Sequence, residues 1–138
     1  MKESVGLLII NDNKIFACKP FGKILYDLPK GIREEGEAQL ATMLREVWEE
    51  TDISFYKKEF EFCGTFKYTN EKNLSLYKIY MNVDLSRCKC NSYFDYNGKQ
   101  VPEVVGYEWV GFDELDKFYK SLQPILRSII NDTNRKNI

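Results

Sequence analysis

Glu46, Glu49 and Glu50 stand at i, i+3 and i+4 in the run Arg45-Glu46-Val47-Trp48-Glu49-Glu50. On a helix those three carboxylates share one face. Like charges at that spacing oppose each other by about 0.2–0.5 kcal/mol per pair. They also fall where the helix is predicted to end, and the negative end of its dipole disfavours each anion by about 0.3–1 kcal/mol. A chain rarely accumulates that penalty unless positive charge comes to the site. Ligands that are all oxygen suit a hard divalent cation, Mg2+ or Mn2+ first.

The absence of histidine narrows the chemistry further. It removes Ser-His-Asp and Cys-His nucleophilic catalysis, histidine zinc sites and the two-histidine iron site. Acid–base work then falls to Glu, Asp, Lys, Tyr or Cys, which returns attention to the carboxylate helix. Twenty basic residues against 21 acidic ones give a formal charge of −1. That balance argues against broad electrostatic binding of nucleic acid or membrane, while leaving room for a local basic pocket. The four cysteines lie at 18, 63, 88 and 90. Cys88-Lys89-Cys90 is not zinc spacing, so reduced intracellular thiols are expected. The apolar run 5–10 is too short for a signal sequence or a membrane span, and a cytoplasmic protein with no membrane association is the expectation.

These residues need elements to position them. The run 5–10, ended by Asn11-Asp12-Asn13, and a second strand over 14–19 predict an early hairpin. A loop rich in Gly and Glu follows from Leu28 to Glu37. The 3.6-residue recurrence of Leu40, Met43, Leu44, Val47 and Trp48 predicts a helix over 39–51, with those residues on the core and Glu46, Glu49 and Glu50 on the far side. Residues 53–55, 60–68 and 74–83 read as strands, with a turn at 69–73. Residues 86–100 show no period and read as a long loop. Another strand covers 103–110, a helical turn begins at Phe112, and a final helix covers 119–131. Pro124 requires that this helix start near Ser121 or Leu122. The tail 133–138 is expected to fray. No repeat or linker breaks the chain, so a single domain over residues 1–138 is expected.

Gly31-x5-Glu37-x7-Arg45-Glu46-Val47-x-Glu49-Glu50-x-Asp52-Ile53 resembles the Nudix box, G-x5-E-x7-R-E-U-x-E-E-x-G-U with U apolar. Every fixed position matches except Asp52, which stands where the family has glycine. That glycine ends the helix, often in the left-handed conformation, which Asp tolerates better than most residues. The resemblance implies an α/β fold, a Nudix-type α/β/α sandwich with a central mixed β-sheet, the carboxylate helix on one face and the C-terminal helix on the other. It implies an acid anhydride hydrolase that cleaves the pyrophosphate of a nucleoside diphosphate derivative with a divalent cation. Glu49 and Glu50 would be the principal ligands. Glu46 would complete the cluster or orient and deprotonate the attacking water. Arg45 would hold a carboxylate in place, Glu37 would support the same cluster, and Gly31 would let the backbone approach the metal.

Family members often draw a further glutamate from a late strand or loop. Glu103 is the candidate, with Glu108 and then Asp95 behind it. Lys23, Lys30 and Arg33 could touch phosphates. Tyr26-Asp27-Leu28-Pro29-Lys30-Gly31 resembles the W-x-x-P-K-G run of dinucleoside polyphosphate hydrolases and some RNA-decapping relatives, with Tyr for Trp. The lead substrate is therefore a dinucleoside polyphosphate or related nucleotide. Pyrophosphate removal from an RNA 5′ end is the alternative. A nucleotide-binding regulator without turnover is the contrasting class, but such proteins usually lose box carboxylates and this chain keeps all of them. Glu34 and Glu35 read as solvated loop. Trp48 and Trp109 read as core rather than base-stacking platforms, and residues 93–96 as either a stacking or a packed loop. The oligomer is expected to be a monomer or a homodimer.

Overall fold

The computed structural model describes residues 1–56 and 58–136, with side chains as far as Thr133. Its elements run β1 (Lys2–Asn11), β2 (Lys14–Pro20), β3 (Lys30–Ile32), α1 (Gln39–Thr51), β4 (Glu61–Lys67), β5 (Lys72–Tyr80), β6 (Tyr93–Tyr96), β7 (Lys99–Pro102), β8 (Val104–Gly111) and α2 (Leu122–Lys136). Short 3-10 turns cover Leu85–Arg87 and Phe112–Lys117.

The sheet has the strand order β4-β5-β1-β2-β8, with β3 added to β1. It is mixed, because β1 runs parallel to β5 and the other pairs are antiparallel. β1 is apolar without alternation because both of its faces are covered. Val5, Leu7 and Ile9 pack with Met43 and Val47 of α1. Leu8 and Ile10 pack with Leu122, Ile125, Leu126 and Ile129 of α2. The two helices thus lie on opposite faces, as the sequence implies. Each such side chain contributes about 1.5–3 kcal/mol when fully buried.

β1 and β2 pair only near their shared turn, at Ile10 with Ile15 and Asn11 with Lys14. The turn places Asp12 and Asn13 at φ 50° and 58°, which twists with the strands as a two-residue hairpin requires. Toward its start β1 pairs instead with β3, Val5 opposite Gly31 and Gly6 opposite Lys30. The first residues of the box, predicted as loop, are therefore clamped to the central strand.

Other expectations fail for identifiable reasons. Residues 53–55 form no strand: Asp52 turns the chain left-handed at φ 66°, and the segment runs off the helix end without an edge to join. The loop predicted over 86–100 contains a hairpin, β6 with β7, closed by Asn97-Gly98 at φ 53° and 83°. That dipeptide is a hairpin signal, but no alternation accompanies it because both strands are largely exposed. The final helix starts at Leu122, which leaves Pro124 in its first turn, and continues to Lys136. The fraying expected from Thr133 is thus not seen as far as that residue, and residues 137–138 lie outside the described part. Trp48 was expected in the core; it is 46% exposed, as is Leu40 at 41%, so only Met43 and Val47 of the apolar face are fully covered.

Candidate active site

Glu46 was expected on the outer side of α1. It is buried instead, because β3 covers that flank of the helix at Gly31. Its carboxyl group lies against Gly31, where an added Cβ would stand 1.9 Å from the Glu46 carboxyl carbon. A side chain at 31 would require the Glu46 carboxyl group to leave that position. The glycine of the box is thus a packing requirement for the buried glutamate.

Arg45 spends its five N–H donors on this cluster. Nε and Nη2 donate to Glu37 at 2.7 and 3.0 Å, and Nη1 donates to Glu46 at 2.8 Å and Glu49 at 3.2 Å. Nη2 also donates to the Ile32 carbonyl at 3.1 Å. Glu37 takes a further hydrogen bond from Thr42 Oγ1 at 2.7 Å and one from the Glu34 amide at 3.2 Å. Its pKa falls to about 2, chiefly because Arg45 donates to its charged form. Glu46 moves the other way, up to about 7, because burial and the neighbouring Glu49 charge outweigh Arg45. Burial also raises Glu50 well above the usual carboxylate range, although it accepts the Lys30 amide at 3.1 Å.

Glu50 looks into a small cavity of about 130 Å³, lined with Cys18, Asp27, Leu28, Glu103 and Val104. The sequence candidate Glu103 is therefore brought to the cluster from the residue before β8. Its amide donates to the Ser92 carbonyl and its carbonyl accepts from the Phe21 amide, both at 2.9 Å. Glu108 is not brought there: its charge is engaged with Tyr26 and, at 3.9 Å, with Lys117. Asp95 sits in β6, opposite Gln100 of β7.

A larger cavity of about 650 Å³ adjoins the small one through the shared walls Pro20 and Asp27. Ile24, Lys23, Tyr68 and Tyr119 line it, and so does Lys30. Lys30 Nζ stands 3.1 Å from Asp27 and 5.2 Å from the centre of the Tyr68 ring. The Asp27 charge lifts the Lys30 pKa above the normal lysine value against the opposing effect of burial. Arg33 is not at this cleft in a free form. Its Nε holds the Glu37 carbonyl at 2.7 Å and its Nη1 holds Glu3 at 3.0 Å. Sequence reading missed Asp27, which sits between the two cavities, and Tyr107, whose hydroxyl donates to the Glu50 carbonyl. Neither has a spacing signal, since each meets the site only through the fold.

The donor chemistry fits a hard divalent cation: oxygen throughout, with two carboxylates whose burial disfavours bare negative charge. Among the described residues no three acidic or thiol side chains already surround one common point. Arg45 supplies the counter-charge to Glu37, Glu46 and Glu49 in this arrangement. Glu46 Oε2, Glu49 Oε2 and Glu50 Oε2 take no hydrogen bond among the described residues, which leaves each carboxylate an oxygen to offer.

Comparison with known proteins agrees with this geometry. The family model of the NUDIX domain matches residues 1–132. An RNA pyrophosphohydrolase of Pelagibacter ubique is 34% identical over 77 residues, 54% of this chain and 49% of that protein, so the match spans about half its length. Among solved structures, a C. elegans Ap4A hydrolase superposes with a TM-score of 0.67 at 17% identity, covering 97% of this chain and 98% of that one. A MutT protein of Methanosarcina mazei gives 0.65 at 19% identity over 96% and 94%. The NUDIX domain of Shewanella oneidensis NrtR, solved with ADP ribose, gives 0.67 at 16% identity over 95% and 86%. At such identities the structures establish the shared fold. Nudix hydrolases generally use divalent metals, and among the described residues no helix is long and apolar enough to cross a membrane. The matched box, the mixed sheet between two helices and the family model together place this chain in the Nudix domain family.

Proposed function

We propose that this chain hydrolyses a pyrophosphate linkage in a nucleotide derivative, with a dinucleoside polyphosphate or related nucleotide as the lead substrate class. The observation that carries the reading is the joined cleft. The acidic side chains of Asp27, Glu50 and Glu103 line its small chamber, and tyrosines and lysines line the larger one through the shared wall at Asp27. A base and ribose suit the larger chamber, and Lys30 and Lys23 suit the phosphates that follow. Lys30 is the substrate-binding residue we assign. Arg33, tied to Glu3 and the Glu37 carbonyl, is assigned to holding the box loop instead.

Glu46, Glu49 and Glu50 are assigned as the holders of Mg2+ or Mn2+, with the backbone carbonyl beside Gly31 as a further oxygen. Bound there, the cation would neutralise phosphate charge and lower the pKa of water. Arg45 and Glu37 fix the first of those carboxylates in place by charge-assisted hydrogen bonds. Glu103, across the small chamber from Glu50, is the group we assign to receive the proton of the attacking water. The relative from Pelagibacter ubique favours a second reading, pyrophosphate removal from an RNA 5′ end, which needs only one end of the RNA in the same cleft.

A nucleotide and RNA panel run in oxygen-18 water, with and without Mg2+ or Mn2+, identifies both the substrate and the phosphorus attacked. Cation-dependent turnover with oxygen-18 in one phosphate product is expected. Turnover that survives unchanged in Glu50→Gln overturns the assignment of that ligand.

A further inference from the structure

The last four carbonyls of a helix lack intrahelical partners, and here four long-range donors reach them. The Trp48 carbonyl accepts from the Asp52 amide at 2.9 Å and from Asn91 Nδ2 at 3.1 Å. The Glu49 carbonyl accepts from the Asn91 amide at 2.6 Å, the Glu50 carbonyl from the Tyr107 hydroxyl, and the Thr51 carbonyl from the Lys89 amide at 3.2 Å. The end of α1 is thus held by Lys89 and Asn91, about forty residues later in the chain, and by Tyr107 of β8; Asn91 supplies two of the four long-range donors, its amide to Glu49 and its side chain to Trp48.

Asn91 also answers the one departure from the box. Asp52 occupies the left-handed position where the family has glycine, and it brings an anion to the negative end of the helix dipole. Asn91 Nδ2 donates to Asp52 Oδ1 at 2.8 Å while reaching the Trp48 carbonyl. Both partners are acceptors, so the position demands a donor. Aspartate there would supply none and would add a second anion.

We infer that Asn91 is a positioning residue: it fixes the terminal turn of α1, and through it the Glu49 and Glu50 carboxylates, in register to receive a divalent cation, and it offsets the loss of the box glycine at Asp52. The inference rests on the proposed function in taking Glu49 and Glu50 as ligands. Asn91 itself touches neither the cation nor the substrate.

The test titrates Mn2+ alone into the purified chain and follows free ion by electron paramagnetic resonance. Thermal unfolding of each variant is recorded in parallel, and turnover is measured against cation concentration. Asn91→Ala should weaken Mn2+ binding about tenfold, the size seen when an outer partner of a metal ligand is removed. It should raise the cation concentration needed for half-maximal turnover by the same factor, with much of kcat recovered at saturation. Asn91→Asp should weaken binding more. Asp52→Gly restores the glycine and removes the anion, so in that background Asn91→Ala should cost about threefold or less. Asn91→Gln keeps the amide and displaces it by one methylene; it carries the test if the alanine variant does not fold, and a comparable weakening is expected of it. Mn2+ binding indifferent to the Asn91 variants overturns the positioning role, and an Asn91→Ala effect undiminished by Asp52→Gly overturns the offset of the lost glycine. A parent chain that binds no Mn2+ overturns both this role and the proposed function; a parent that binds beside an indifferent variant overturns only the role.

Discussion

The space that a side chain at position 31 would fill is taken by the carboxyl group of Glu46. β3 pairs Gly31 with Val5, so the backbone at 31 cannot retreat without breaking the central sheet. Gly31→Ala therefore expels Glu46 rather than shifting the strand. We expect a loss of about 1–3 kcal/mol in unfolding free energy, the usual cost of overpacking. Turnover should fall at least a hundredfold, a scale typical of a displaced reacting group. Urea denaturation and a turnover assay check the two effects separately.

Stability without cation should depend on pH with a definite sign. Burial and Glu49 raise Glu46 to about 7, and burial raises Glu50. A raised carboxylate binds its proton more tightly in the folded chain than in the unfolded one. Stability is thus greatest where the folded form stays protonated, and it declines as pH climbs from about 4.5 through 7. The decline should be on the order of 1–3 kcal/mol. Saturating Mg2+ should flatten it, because a cation replaces the proton, and Glu46→Gln should flatten it without Mg2+. Melting temperatures across pH 5–8 would show a rise with pH if this reading is wrong.

Arg45 balances three carboxylates, and lysine cannot replace it. Arg45→Lys keeps one charge but loses the fork that grips Glu37 on both oxygens. We expect Arg45→Ala to cost about 1–3 kcal/mol, discounted because the group is partly exposed. Arg45→Lys should recover less than half of that. In a Glu37→Gln background the Arg45→Ala cost should shrink, since the two share one ion pair. Equal costs in both backgrounds would deny the coupling.

Glu103 and Glu108 differ by five positions and should differ sharply in effect. Glu103→Gln is expected to lower kcat by about 10²–10⁴, the range for a lost general base. Glu108→Gln removes a charge that faces Tyr26 and Lys117 and should change kcat less than about threefold. The reverse order would reassign the base.

Much of this arrangement was legible in the chain because local chemistry dictated it. The 3.6-residue period of Met43 and Val47 set α1, the run at 5–10 set the doubly covered strand, and Pro124 set where α2 starts. The carboxylate spacing pointed to the helix face on which the proposed site is built. What stayed hidden depended on long-range packing. Glu46 lies on the polar side of the helical wheel, and nothing local announces that β3 will cover it. Arg33 looked like a phosphate ligand until Glu3, some thirty residues earlier, claimed its guanidinium. Asn91 sat in a stretch with no period, and its purpose exists only where that stretch meets the end of α1.

Glu103 offers its amide to Ser92, at the approach to β6, and its carbonyl to Phe21, whose ring also stacks edge-on with Phe94 and Tyr96 of that strand. The same few residues after β2 wall the larger chamber. Grafting a foreign 20–25 segment to change what the chamber admits would thus unseat the glutamate next door. On the proposed function, selectivity and reactivity would share one hinge pin, and an engineer who wants to alter the first would have to rebuild the hairpin along with it.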